Sequence, residues 1–316
     1  MDRATTGLRY RRFLLTDPAE MERLGDPFRP LEPECKVVQF SQTLSAAELQ
    51  KAADLMRHRP DVELYVYGLA ATNLDFLQYF SDLRRLHLSL YKLEDIGGLS
   101  HLNGSLEELT LGGTKKAFSL RFIETLPNLR ALFLVGHKKD LASIQILSKL
   151  RKLGLSGITL PDLSALSPMK ELQDLSIFLG ATTNLELLAD FSLLQSLFLM
   201  RITKLYDLEV LKNLRALKTL RLDWMRNVTS LPTFAGLAHL EEVILDTMKG
   251  LTDLSPVALA PSLRTLTVTS MPQLSAENFR CFLNHSKLER LHAYTGRAKV
   301  NEEVRRMFPN HFFSSE

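Results

Sequence analysis

Residues 217–228 read LKTLRLDWMRNV, three leucines at L-x-x-L-x-L spacing followed at once by an aspartate and by Trp224, the single tryptophan of the chain. In an extended segment successive side chains point to opposite faces, so Leu220 and Leu222 share one face while Thr219, Arg221 and Asp223 share the other. A strand this short cannot bury its own leucines. It needs neighbours with the same pattern, and the sequence supplies them. Blocks of this spacing begin at Leu83, Leu106, Leu129, Leu150, Leu172, Leu194, Leu217, Leu240, Leu263 and Leu288, at intervals of 21 to 25 residues. Of the 30 apolar positions in these ten blocks 26 are Leu, the exceptions being Ile177, Val243, Val268 and Ala293, so the spacing is a structural repeat and not an accident of composition.

Between the blocks the apolar spacing continues, as in Leu93, Ile96, Leu99 and Leu102, or Ile158, Leu160, Leu163, Leu166 and Met169. A period of about 20–29 residues with this leucine pattern resembles the leucine-rich repeat family, here over residues 61–295. The repeats are similar to the short subclass, of roughly 22 residues, found in bacterial internalins and in a phosphatase regulatory subunit. The resemblance implies an α/β solenoid: a curved array of about eleven strands, a parallel sheet on its concave face and short helical or 3-10 segments on its convex face. The family usually carries Asn three residues after the last strand leucine, where the amide satisfies backbone groups of the turn. Here that position holds Tyr91, Thr114, His137, Ile158, Gly180, Ile202, Met225, Met248 and Met271. The later repeats are expected to replace the polar ladder with apolar packing.

An array of stacked repeats needs caps over its terminal leucines. Residues 36–60 read as an N-terminal β-α cap: a strand in CKVVQF, then a helix opened by a Ser45/Glu48 capping box. Residues 1–35 form an N-terminal segment whose order the sequence leaves open, with a short helix candidate at Ala19 to Leu24 and a proline-rich run, DPFRPLEPE. Residues 296–316 read as a helical cap and tail, with Asn301 capping a helix that turns Val304, Met307 and Phe308 toward the last repeat.

A hydrophobic fraction of 45% with 24% charged residues describes a chain with ample apolar surface to bury. The net charge of +3 is too small to argue for nucleic acid by itself. No apolar run is long enough for a membrane span, and the N-terminus lacks a secretory apolar core. The two cysteines, Cys35 and Cys281, lie far apart, so free thiols and a cytoplasmic setting are expected. Motifs for phosphate cradling, a nucleophile elbow or a zinc protease are missing, and no cofactor is expected. Cys281, between Phe279 and Phe282, reads as a core thiol. His87 and His292 read as surface or partner-contacting residues and not as metal ligands.

In a solenoid the inward residues are spent on packing, so function is read from the outward ones. The N-terminal blocks present Tyr65, Tyr67, His87 and Leu90. A floor of small residues follows, Gly112, Gly113, Gly136, Gly154, Ser156 and Gly157, interrupted by Phe133. Then comes an apolar stretch of Phe178, Leu179, Phe198, Met200, Trp224 and Ile244, bordered by Arg201, Arg221, Asp223 and Asp246. Exposed aromatics and Met beside Arg are enriched at interfaces. These residues point to a non-enzymatic, intracellular binding protein whose concave sheet grips a protein partner. Toxin neutralisation or enzyme inhibition would be special cases, by analogy alone. The rival is a binder of nucleic acid or acidic membrane, through the rim cations Lys92, Lys115, Lys138, Arg226 and Lys249 with Arg84, Arg130, Arg151, Lys218 and Arg264.

Overall fold

The computed structural model describes residues 31, 35–41, 43–68 and 70–310, so the helix expected at Ala19 to Leu24 and all of the proline-rich run but Leu31 lie outside the described residues. The chain forms two compact units, Met1–Leu147 and Ser148–Glu316. In the first, five strands follow one another: β1 (Val37–Phe40), β2 (Glu63–Tyr67), β3 (Arg85–Ser89), β4 (Glu108–Leu111) and β5 (Ala131–Val135). The second holds β6 (Lys152–Ser156), β7 (Asp174–Phe178), β8 (Ser196–Met200), β9 (Thr219–Asp223), β10 (Glu242–Asp246), β11 (Thr265–Thr269) and β12 (Arg290–Tyr294). Within each unit every strand pairs in parallel with its chain neighbours.

The register explains the leucines. Leu220 lies opposite Leu197 on one side and Val243 on the other, and Leu222 opposite Leu199 and Leu245, so like positions stack from strand to strand. All six side chains are fully buried. Fully burying one such side chain contributes roughly 1.5–3 kcal/mol, and a continuous column makes the packing shared. The connecting segments are mostly single 3-10 turns, such as Glu186–Asp190 and Glu209–Asn213, with one short α-helix, Ser255–Ala258. Each buries an apolar side chain, Leu188 and Leu211 in these two turns and Val257 in the helix.

A polar column recurs on this connecting side. Asn73, Asp95, Asp162, Asn184, Asp207 and Asp253 each accept, through a side-chain oxygen, the backbone N–H two residues on, where the connecting segment opens. These are Asx turns, and they satisfy donors that a short helical segment leaves orphaned. On the strand side the expected apolar replacement is present: Ile158, Ile202, Met225, Met248 and Met271 are all buried. His137 keeps a polar role there. Its Nδ1 accepts from the Phe118 N–H at 3.1 Å and its Nε2 donates to the Gly112 carbonyl at 3.0 Å, which fixes the tautomer and does the work of the absent asparagine.

The strands of the second unit end in a repeated corner. Leu179, Arg201, Trp224, Thr247 and Ser270 each follow a strand directly, and all five are left-handed with φ between 52° and 56°. Each donates its N–H to the carbonyl of the last residue in the next strand, at 2.8–3.0 Å, extending the ladder by one bond. A side chain in this conformation costs about 1–2 kcal/mol relative to the right-handed form, a cost glycine escapes. Gly157 opens the series at φ 66°, and Gly136 has the same place in the first unit at φ 75°.

The ends depart from expectation in one detail. At the N-terminal end the Ser45/Glu48 capping box forms and opens α1 (Ala46–Met56). At the other, the last helix, α3 (Ala298–Met307, after α2 at Ser255–Ala258), starts before Asn301. Asn301 therefore does not cap it. Its Oδ1 instead accepts from the N–H and hydroxyl of Thr295, at 3.0 and 2.7 Å, tying the helix to the turn that precedes it. Val300, Val304 and Phe308 are buried beneath it, with Met307 only partly so.

Candidate functional site

The outward residues gather into two clusters, one in each unit. In the first, Tyr65 stacks on Tyr67 with ring centroids 4.9 Å apart and meets the His87 ring at 4.3 Å. Register makes this contact, because Tyr65 and His87 lie opposite each other on β2 and β3. His87 Nε2 lies 3.2 Å from Ser89 Oγ, and its Nδ1 lies 3.8 Å from Glu63 Oε1. Burial pushes the Glu63 carboxyl up to about 7, with the Glu108 charge adding and Arg85 opposing. Burial holds the His87 imidazole down at about 4. Phe133 lies half-buried on β5 of the same unit. Leu90, expected to face outward, is instead buried at 1% exposure, because it follows β3 directly and turns into the core.

In the second unit four strands contribute. Phe178 and Phe198 meet edge to face at 4.6 Å, and the Arg221 guanidinium lies over the Phe198 ring at 4.5 Å. Arg221 then donates to Asp223 Oδ2 through Nε at 2.9 Å, and its Nη2 lies 2.8 Å from the same oxygen in an ion pair. Met200, Asp223 and Asp246 stand in cross-strand register, and Ile244 lies opposite Arg221. Asp246 accepts from the Thr247 hydroxyl at 2.6 Å. Trp224 does not belong to the strand: it takes the corner conformation, stays 41% exposed, and has the Arg201 guanidinium 5.7 Å from its ring centroid. Asp223, expected as an outward border residue, is instead buried, and burial pushes its carboxyl up while Arg221 pulls it down.

Cys281 is also placed differently from expectation. The 3-10 turn Ala276–Phe282 directs Phe279 and Phe282 inward and leaves Cys281 at the surface. Its thiol is pushed up to about 11, mainly by packing around the sulfur, and so stays protonated. Two features escaped the sequence reading: the corner column, and the role of His137. The Asx column was legible as D/N followed by Leu or Ile in successive repeats, a signal outweighed by the leucines beside it.

Parallel strands in chain order, joined by 3-10 turns and stacked on columns of leucine, decide the fold. It is a leucine-rich repeat solenoid. No protein-family model matches the sequence, and neither does any curated protein. Among solved leucine-rich repeat structures, the chain is similar to the internalin InlF of Listeria monocytogenes, with a TM-score of 0.58 and 21% identity over 80% of this chain and 71% of that one. It is similar also to a leucine-rich repeat protein of Leptospira interrogans, with a TM-score of 0.55 and 18% identity over 88% of this chain and 76% of that one. The functional domain of InlJ from Listeria monocytogenes, which includes a cysteine ladder, aligns with a TM-score of 0.55 and 14% identity over 82% of this chain and 58% of that one. This leucine-rich repeat chain carries two cysteines in all, and the later positions of its turn column, Ile202, Met225, Met248 and Met271, are apolar and buried.

Proposed function

We propose that this protein is a non-enzymatic, cytoplasmic binding module whose outward sheet face grips a protein partner and so inhibits, sequesters or scaffolds it. The observation that carries the reading is the strip in the second unit, where Phe178, Phe198 and Met200 stand half-exposed beside Arg221 and an exposed Trp224. Aromatic residues, Met and Arg concentrated on one surface match the composition of interface anchors. Neither Cys35 nor Cys281 is held in a disulfide among the described residues, as suits a reducing setting.

The rival reading, an anionic-surface binder, loses part of its support because three of its ten cations are already engaged. Arg84 pairs with Glu107 at 3.0 Å, Arg151 with Glu171 at 3.2 Å, and Arg264 with Glu289 at 2.6 Å. A hydrolase reading would rest on Ser89, His87 and Glu63. Their geometry opposes it: the imidazole and carboxylate stand 3.8 Å apart, and an imidazole held at about 4 is a weak base.

The test begins with capture of a partner from native cell extract and its identification by mass spectrometry. Trp224→Ala and Phe198→Ala should each weaken its binding by about 2 kcal/mol or more, as at an interface hot spot. Thr267→Ala, on β11 outside the apolar strip, should change it by under about 0.5 kcal/mol. Emission from the sole tryptophan should shift on binding. A Trp224→Ala variant that melts earlier while keeping full affinity would show that the indole only covers the rim.

A further inference from the structure

We propose that the Asp223–Asp246 pair receives a basic side chain, arginine or lysine, presented by the protein partner. The inference rests on the binding role proposed above and specifies what is bound. Its starting point is an oxygen with nothing to do. The Asp223 side chain is only 4% exposed, and both contacts from Arg221 fall on Oδ2. Oδ1 is buried and no protein donor reaches it. A buried carboxylate oxygen left without a donor is unfavourable, and native structures rarely keep one without a reason.

Holding Arg221 over Phe198 does not supply that reason, since Oδ2 alone does it. The flanking strand β8 shows no such demand either, since Met200 occupies the matching place. What lies on the other side of Asp223 is a second carboxylate, Asp246, in direct cross-strand register. Among the described residues Asp246 has no ion pair, and its side chain accepts a hydrogen bond from the Thr247 hydroxyl. Arg221 therefore serves Asp223 alone, and among the described residues no cation pairs with Asp246. The other nearby cation, Arg201, is drawn to the Trp224 indole at the corner.

An arriving cation would correct both deficits, since an ammonium or guanidinium brings several N–H donors and no acceptor. A neutral donor would satisfy the oxygen but leave the second carboxylate without a counter-charge, and an acidic group would be repelled. The surroundings fit the rest of such a side chain. Its aliphatic stem can lie on Met200 and Phe198, as basic residues commonly bury their stems while the head finds charge. Entry to the enclosed oxygen requires side chains at this corner to turn, and the neighbouring indole of Trp224 will sense it.

The test uses the full chain and a displayed library of random twelve-residue peptides, with selected peptides resynthesised and titrated against Trp224 emission. The selection should enrich peptides holding Arg or Lys next to aliphatic or aromatic residues. Asp223→Asn and Asp246→Asn should each weaken their binding by at least about tenfold, the range expected on removing one partner of a buried charge pair. Should Asp223→Asn fail to fold, Asp246→Asn carries the test, because Asp246 is only partly buried. The proposal is overturned if the selection yields no basic peptides, or none at all, or if both asparagine variants bind within twofold of the parent. Enrichment of peptides without basic residues, lost on Phe198→Ala but not on Asp223→Asn, would leave the binding role standing and remove this inference alone.

Discussion

Glu63 and His87 show how single residues on one sheet can carry opposite pH dependences. The folded chain holds a proton on Glu63 up to about 7, whereas the unfolded carboxyl releases it near 4.5. Glu63 thus weakens the fold as pH rises through that window. His87 acts in the other sense. Below about 6.5 the unfolded imidazole takes up a proton that the folded one refuses until about 4, so its share of stability is lost as pH falls. Replacing Glu63 with Gln removes the first slope only. Urea unfolding should find Glu63→Gln more stable relative to the parent at pH 8 than at pH 4.5, by about 2 kcal/mol after allowing for solvent screening. Equal differences at the two pH values would mean that Glu63 is ionised normally in the folded chain. At this scale the sequence was a partial guide. The period-2 alternation placed Tyr65, His87, Phe198 and Arg221 on one face, but the depth of Asp223 depends on neighbours that no local pattern names.

At the scale of the element, each repeat divides its labour between a strand that buries leucines and a connecting turn that closes on an Asx side chain. The two contributions differ in size. Leu220→Ala leaves a cavity in a column shared by three strands and should cost about 2–5 kcal/mol. Asp207→Ala removes a 2.8 Å bond to the Glu209 N–H on an exposed turn. It should cost about 1 kcal/mol, as loss of a helix cap does. Denaturant midpoints of the two variants compare them directly, and comparable losses would mean that the turns, not the leucines, set the stability of the repeat. Strand positions were legible because twenty-six leucines recur in fixed phase. The 3-10 character of the connections was foreseeable only as one of two options, since apolar residues at three-residue spacing suit a 3-10 turn and one helical turn equally. The corner conformation was hidden altogether. Nothing in the words Leu, Arg and Trp announces a left-handed backbone, and the hydrogen bond that enforces it comes from the next strand.

For the whole molecule, the repeat must stop without leaving its apolar end open. In the second unit α3 does this, burying Val300, Val304 and Phe308 at 4%, 0% and 2% exposure. Truncation after Gly296 would return those contacts to water, a loss of roughly 4.5–9 kcal/mol at the usual value per side chain. That is comparable with the total stability of an ordinary domain. The truncated protein should therefore aggregate or lose cooperative unfolding when followed by circular dichroism, and a chain that melted as before would show the helix to be an ornament. The capping function was visible in the sequence as a few apolar residues past the last block. Its start was not, because Asn301 looks like a helix cap and is in fact a ligand for the preceding turn.

The corner column has a consequence for how this surface can change. Leucine, arginine, tryptophan, threonine and serine all occupy the same left-handed site, each fixed by its own main-chain N–H. The backbone sets the grammar and leaves the letter open. A combinatorial library at positions 179, 201, 224, 247 and 270 could be drawn without touching one core leucine. Such a row of interchangeable letters would let a lineage retune its recognition one substitution at a time, each step nearly neutral for folding.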